Sequence, residues 1–403
     1  MSGVPKQLLH LLEDAAQAAK VGYTLLVEPH FREGNDYSSE AYRDSAQSVV
    51  KRFHTAKMAL RVTEIIVDTA TTKTLRLERT DGVLPHFEAG QYINLFVEID
   101  GVKTSRPFTP SSRPGCGYLD VTVKESPGGF VSTYLLERTR VGDRFESTGA
   151  DGHFHLDEIT DRQELVFLAG GSGITPFMSI LRDLVHRGWN KRVHLLYGCR
   201  VPDDVIFGAE LAQLARDRPD QFRYSLVVSE PPAGYAGLTG LLDAALVRRQ
   251  VGAPEASGSP GDRSYYVCGS RLMADYCRGE LLDLGVPRHR IKLDLLGPPV
   301  DVTHEPDWPV EVAGDSEREL DVPGRGRYRV RVGEPLMSSL ERNGVVTPAR
   351  CRSGSCGVCR AQVLSGQVFM PADTGIRESD KAHGYIHACV AYPLTDLVLK
   401  IPD

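Results

Sequence analysis

Cys351-Arg-Ser-Gly-Ser-Cys356-Gly-Val-Cys359, answered 30 residues later by Cys389, decides what the C-terminal part of this chain must fold around. The run spells C-x4-C-x2-C…C, the plant-type spacing for a [2Fe–2S] cluster. Two irons need four thiolates converging on a small volume, and one tight loop supplies three of them. Gly354 and Gly357 let backbone N–H groups turn inward toward the cluster's sulfides. A structural zinc site more often pairs two C-x2-C knuckles, and here there is one. Four unrelated buried thiols fit the spacing less well still. The expectation is a one-electron centre held by Cys351, Cys356, Cys359 and Cys389.

Working outward, the rest of the composition agrees with an intracellular redox protein. A chain of 403 residues has room for two or three domains, each with its own core. With 41% hydrophobic and 25% charged residues it is an ordinary globular sequence. The net charge of −6 is too mild and too mixed to suggest a nucleic-acid partner. The four remaining cysteines, Cys116, Cys199, Cys268 and Cys277, are scattered without a disulfide framework. No apolar run approaches the roughly 18 residues of a membrane span. Nor is there a basic-then-apolar leader, so the cytoplasm is the expected location.

Four segments follow along the chain. Residues 1–55 carry no chemical motif but show one helical apolar face from Leu8 to Ala19 and a polar helix over Ser38 to Arg52. They read either as a helical cap on the next domain or as a docking arm. Residues 56–156 alternate as short strands, at Arg61–Val67, Thr74–Glu78, Tyr92–Val97 and Tyr118–Val123, which indicates an antiparallel barrel or sandwich. Residues 157–297 change to strand, glycine loop and helix. Strands are expected at Leu165–Leu168, Val193–Tyr197, Arg223–Val228 and Ser264–Val267, with a helix over Pro176 to Val185, the grammar of a doubly wound parallel sheet. Val251–Asp262 reads as a loop within it. Residues 298–309 lie in a stiff, proline-punctuated linker, and residues 310–403 form the cluster domain.

The barrel segment holds Arg106-Pro-Phe-Thr109, with Phe87-Glu-Ala-Gly-Gln-Tyr92 before it and Gly128-Gly-Phe-Val-Ser132 after it. An aromatic can lie against a flat ring, a hydroxyl can meet a ring nitrogen, and an arginine can clamp phosphate. Gly129 and the amides up to Ser132 open a helix expected to run to Arg138, where a pyrophosphate could bind. Taken singly, Arg106 is more often a surface salt-bridge residue and Gly128-Gly129 a plain turn. In the next segment Ala169-Gly-Gly-Ser-Gly-Ile-Thr-Pro176 is not the Rossmann G-x-G-x-x-G. Its glycines still permit close phosphate approach at a helix N-terminus. Tyr197-Gly-Cys-Arg200 and Tyr266-Val-Cys-Gly-Ser270 follow it.

Together these motifs resemble the ferredoxin–NADP reductase superfamily, in particular the reductases with a flavin barrel, a nicotinamide domain and a C-terminal plant-type ferredoxin domain. Phenylacetyl-CoA epoxidase reductase and ketosteroid hydroxylase reductase components have this order. The resemblance spans about residues 57–403 and implies a β-grasp-like α+β fold for the last domain. It implies FAD held by Arg106, Phe108, Thr109, Lys124, Gly129, Val131 and Ser132, with Phe108 stacked on the isoalloxazine and Thr109 near its reactive nitrogen. Gly171, Gly173, Thr175, Pro176, Arg200, Glu230, Gly269 and Ser270 would hold the nicotinamide coenzyme. Cys268 would stand beside nicotinamide C4, unless it is a small buried hydrophobe at a strand end.

Three positions depart from the family pattern. Asp151, in the barrel's closing Gly149-Ala-Asp-Gly-His-Phe154, is untypical. Leu296, in Leu293-Asp-Leu-Leu-Gly-Pro298, replaces an aromatic and puts a stacking gate over the flavin in doubt. Glu230 stands where NADPH-selective members often have arginine. A carboxylate there repels a 2′-phosphate and accepts ribose hydroxyls, while Arg200 pulls the other way, so NADH is expected over NADPH.

The resemblance implies that NAD(P)H reduces FAD by hydride, and that FAD feeds the cluster singly. A separate metalloenzyme, an oxygenase or desaturase, would then accept the electrons. An anaerobic hybrid-cluster or corrinoid acceptor and a non-catalytic redox sensor are the alternatives. Arg350, Arg352 and Arg360 flank the cluster loop. They could raise the cluster's potential, meet an acidic acceptor or simply be solvated. Residues 309–403 carry 12 acidic and 12 basic side chains, so no acidic docking face is indicated.

Overall fold

The computed structural model describes residues 57–126, 128–252, 262–295, 297–299, 301–372 and 374–401. The helices expected within residues 1–55, most of the 251–262 loop and Leu296 lie outside these.

Six strands form the first sheet: β1 (Met58–Thr69), β2 (Thr72–Arg79), β3 (Ile93–Ile99), β4 (Val102–Phe108), β5 (Leu119–Lys124) and β6 (Arg144–Ser147). All neighbours are antiparallel, in the order β4-β3-β6-β1-β2-β5. The period-2 pattern explains the strands read from sequence: Leu60, Val62, Leu75, Leu77, Leu95, Val97, Val121 and Val123 point into one core. Two strands were not legible. β4 carries the arginine motif and is too polar to alternate, and β6 is only four residues long. The outermost strands, β4 and β5, do not pair with each other, so the barrel is open along one seam. Helix α1 (Phe130–Glu137) follows β5 and buries Val131 and Leu135 in the same core.

The second sheet is parallel throughout, ordered β10-β9-β8-β7-β11-β12. Its strands are β7 (Glu164–Gly170), β8 (Arg192–Cys199), β9 (Phe222–Val228), β10 (Leu238–Thr239), β11 (Arg263–Gly269) and β12 (Ile291–Leu295). Helices α2 (Thr175–Arg187), α3 (Gly208–Asp217), α4 (Ala244–Val251) and α5 (Arg271–Asp283) connect them. Two separate apolar clusters, one built around Phe167 and Phe177 and one around Val166, Tyr265 and Leu281, cover the sheet's two faces. Burial on both faces makes β7 and β11 nearly continuous apolar runs. Strand order reverses beside β7, and the carboxyl ends of β7 and β11 lie side by side there, the usual ligand position in such sheets.

The last module has a mixed five-stranded sheet, ordered β14-β13-β19-β15-β17, from β13 (Glu317–Val322), β14 (Gly326–Arg331), β15 (Arg360–Ser365), β17 (Tyr385–His387) and β19 (Leu397–Lys400). β16 (Val368–Phe369) and β18 (Tyr392–Pro393) pair separately. Helix α6 (Leu336–Arg342) packs Leu336, Met337 and Leu340 into the core that also holds Cys359 and Cys389, while the short α7 (Glu378–Ala382) stays on the surface. This is the β-grasp-like arrangement expected. The proline-rich linker, however, is no free spacer. Val302 and Trp308 are buried with Val332, Phe369 and Tyr392, and Trp308 Nε1 donates to Val312 O at 3.1 Å.

Candidate functional site

The unpaired seam of the first sheet opens onto a cleft of about 410 Å³ in which all three modules meet. Ten residues expected at the sites line it: Arg106, Phe108, Thr109, Lys124, Gly129, Val131, Ser132, Thr175, Cys351 and Cys389. Strand register explains the first three. β4 runs antiparallel to β3, so Arg106 pairs with Leu95 and Phe108 with Ile93, and the motif is fixed from the core side. On the opposite edge β5 ends at Lys124, whose Nζ lies 3.2 Å from Asp204 Oδ2 of the second module. Gly129 then opens α1. Burial and the neighbouring Arg352 guanidinium lower the Arg106 pKa to about 10.

The nicotinamide motifs converge from the second sheet. Gly171–Ile174 forms a tight turn after β7, and Thr175 begins α2. Tyr197 Oη donates to Gly171 O at 2.9 Å and holds that turn. Gly173 is packed against β11 so closely that a Cβ would stand 2.2 Å from Cys268 O. Ser270 caps α5, its Oγ accepting from Met273 N at 3.3 Å. Cys268 does not line the cleft. It is fully buried, its Sγ lies 3.9 Å from Asp294 Oδ2, and burial holds the thiol protonated. Asp294 does line the cleft, and burial pushes its pKa up to about 7. Gly171, Gly173, Pro176, Gly269 and Ser270 lie outside the lining, at the ends of β7 and β11 and the starts of the helices that follow.

Arg200 and Glu230 stand apart from the cleft, past the carboxyl ends of β8 and β9. Glu230 N donates to Arg200 O at 2.8 Å, and their side chains approach to 3.8 Å. Both are about two-thirds exposed, so their charges largely offset each other in water.

The four cluster cysteines come together at the cleft's edge. Cys359 and Cys389 have their sulfurs 3.3 Å apart, and the Cys351 thiol contacts those of Cys356 and Cys389. Among the described residues no three His, Cys, Asp or Glu side chains surround a single-ion position. A two-iron cluster would be held by the four thiolates together, the Cys351–Cys356 contact offering one pair and the Cys359–Cys389 contact the other. The N–H groups of Ser353 and Cys356 already donate to Cys351 Sγ at 3.5 and 3.4 Å. Gly354 has φ +82°, and a Cβ there would press on Val390 at 2.8 Å. This donor set fits a [2Fe–2S] cluster. Three of the cysteines are buried and Cys356 is exposed, so a cluster held here would have its open edge at Cys356.

The arginines around the loop are all engaged. Arg350 pairs with Asp151, which accounts for that untypical residue: it ties the barrel to the cluster loop. Arg360 lies 3.0 Å from Asp380 and over the Tyr385 ring. Arg352 is buried against Glu341. Asn94 of β3 adds a further tether, its Nδ2 donating to Ala349 O at 2.9 Å and Arg350 O at 3.1 Å. Sequence reasoning did not assign Tyr92, Asp294, Met337, Ser338, Arg352 or Ser353 to the cleft. Arg352 was visible as a loop charge, whereas Met337 and Ser338 carry no local signal.

Comparison with known proteins identifies the three modules. The family profiles "Oxidoreductase FAD-binding domain", "Oxidoreductase NAD-binding domain" and "2Fe-2S iron-sulfur cluster binding domain" match residues 57–156, 167–279 and 321–394. The glycine betaine monooxygenase reductase subunit of Pseudomonas aeruginosa (strain UCBPP-PA14) is 28% identical over 356 residues, covering 84% of this chain and 94% of the relative. The NADH oxidoreductase HCR of Escherichia coli (strain K12) is 30% identical over 314 residues, covering 78% and 88%. The solved structure of phthalate dioxygenase reductase shares the fold with a TM-score of 0.63 at 21% identity, over 86% of this chain and 98% of that one. Electrons pass from NAD(P)H through FAD to the [2Fe–2S] cluster, which makes the protein an NAD(P)H-dependent oxidoreductase. The chain belongs to the ferredoxin–NADP reductase superfamily, among the reductases that join an FAD-binding domain, an NAD-binding domain and a C-terminal [2Fe–2S] domain.

Proposed function

We propose that this chain is the reductase component of an oxygenase system: the cluster's electrons leave at the exposed Cys356 edge for a separate oxygenase. The observation that carries this reading is the meeting of the flavin motif, Ser172 and Thr175 of the nicotinamide turn, and two cluster cysteines at one cleft. That a relative so similar along its length is a monooxygenase reductase subunit supports the acceptor class. A redox sensor would not need a complete hydride path, and neither it nor an anaerobic acceptor is favoured.

In this reading the modules span residues 56–156, 157–297 and 310–403, joined by 298–309. Arg106, Lys124 and Gly129 to Ser132 hold the flavin's phosphates, while Phe108 and Thr109 face its ring. Thr175 with the Gly171–Gly173 turn and Gly269–Ser270 orients the nicotinamide, and Cys268 packs behind that turn rather than beside nicotinamide C4. Arg200 and Glu230 meet the adenosine ribose and favour NADH. Among the described residues no helix is long and apolar enough to cross a membrane, which is compatible with a cytoplasmic reductase.

The test is to reduce the holoprotein with NADH, mix it with purified oxygenases and with anaerobic metalloenzymes, and follow cluster reoxidation by its EPR signal. Fast reoxidation by an oxygenase is expected. Reoxidation by an anaerobic acceptor alone would overturn the assignment.

A further inference from the structure

A second guanidinium, from outside the flavin module, lines the cleft's polar end. Arg352 belongs to the cluster loop, yet it lines the same cleft as Arg106. The two guanidiniums meet on one hydroxyl. Thr104 Oγ1 of β4 accepts from Arg106 Nη1 at 2.7 Å and from Arg352 Nη2 at 3.1 Å, and donates to Glu341 Oε2 at 2.9 Å. Both lone pairs and the proton of that hydroxyl are therefore used. Arg352 Nη1 also donates to Glu341 Oε2 at 3.1 Å.

Two buried or half-buried cations thus face one carboxylate. Arg352 is only 6% exposed and Glu341 only 4%, and Arg352 Nε has no partner. A buried cation in excess is costly unless an anion answers it. Across the same cleft lie Gly129 and Ser132, at the start of α1. The Nε of Arg352, a buried donor with no protein partner on a residue that lines the cleft beside Arg106, suits a phosphate oxygen better than a neutral ring.

Given the reading of Arg106 as a flavin-phosphate arginine, we propose that Arg352 is its partner, so that the ferredoxin module completes the FAD site. Glu341 and Thr104 hold the Arg352 side chain against the barrel, and the FAD phosphates supply the missing negative charge. Flavin binding and docking of the ferredoxin module are then linked, each strengthening the other.

Full-length, cluster-loaded protein stripped of flavin tests this by titration with FAD and with riboflavin, which lacks phosphates, following quenching of flavin fluorescence. Arg352→Gln should raise the Kd for FAD about tenfold or more, the size of one charge-assisted hydrogen bond, and leave that for riboflavin within about threefold. Glu341→Gln keeps a side-chain oxygen to hold Arg352 but removes the competing charge, so FAD should bind as tightly as before or tighter. Equal weakening of FAD and riboflavin in Arg352→Gln, or no weakening, overturns the proposal. So does weaker FAD binding in Glu341→Gln, because a merely structural ion pair fails alike from either side. Should Arg352→Gln not fold, Glu341→Gln decides alone. Failure of the wild-type chain to bind FAD would instead overturn the flavin site itself.

Discussion

Gly173→Ala isolates the contact on which the nicotinamide site is built. The added methyl would stand 2.2 Å from Cys268 O, 2.5 Å from Cys268 C and 2.8 Å from Gly269 N. All three are backbone atoms of β11, which is paired on both sides by β7 and β12. No side chain can swing away, so the Gly171–Ile174 turn must retreat. Restoring even 3.0 Å to the carbonyl oxygen from 2.2 Å requires 0.8 Å. Overpacking of this kind costs about 1–3 kcal/mol of stability. The kinetic effect should be larger, since a misplacement near 1 Å can cost about 100-fold in rate. Flavin and cluster contents should be normal, because the barrel and the cysteine loop are untouched. Stopped-flow mixing with NADH, followed by flavin bleaching, should show hydride transfer slowed roughly 10- to 100-fold. A variant that folds, keeps FAD and is reduced within about twofold of the wild-type rate would refute the close-approach argument.

Four further outcomes follow from particular contacts. Coenzyme choice rests on Glu230, whose charge lies in water beside Arg200, so repulsion of a 2′-phosphate at about 5 Å is nearer about 1 than about 3 kcal/mol. Wild type should prefer NADH in kcat/KM by about an order of magnitude or less, and Glu230→Arg should reverse the ratio. An unchanged ratio would remove Glu230 from the adenosine site. Cys356→Ser should lose the cluster, measured by iron content and EPR, while NADH still reduces the flavin. Loss of both in soluble protein would show that the cleft needs an intact cluster loop. Asn94→Ala deletes both side-chain bonds to the loop, about 1–3 kcal/mol of docking, and should slow flavin-to-cluster transfer but not flavin reduction by NADH. Equal slowing of both steps would contradict that role. His194 has its pKa pushed down to about 4 by burial, with Arg223 and Arg263 adding to the effect. The unfolded chain, with an ordinary value near 6.5, then binds more protons between about pH 6.5 and 4. Stability should fall as pH drops through that window, by up to about 3 kcal/mol from this group. Thermal melts of His194→Gln at pH 7 and 4.5 should show a shallower loss, and an equally steep one would assign the acid lability elsewhere.

Periodicity and spacing were enough for much of this protein, because both are local. Alternation in Arg61–Val67 and Tyr118–Val123, apolar runs in β7 and β11, and C-x4-C-x2-C are each written within a dozen residues. The flavin motif was legible as chemistry, although the strand that carries it was not: β4 is recognisable only through its pairing with β3. Tertiary structure alone decided which distant side chains share the cleft. Asp151 reads in sequence as an oddity, and folding makes it the partner of Arg350, 199 residues away. Arg352 could read as a solvated loop charge and Glu341 stands in no motif, yet folding buries both against Thr104. The linker's prolines suggest a spacer, yet Val302 and Trp308 bury into the module that follows. Such contacts join segments whose separation carries no sequence period. Local pattern therefore sets the modules, and only the packing of one module on another decides what the cleft between them can hold.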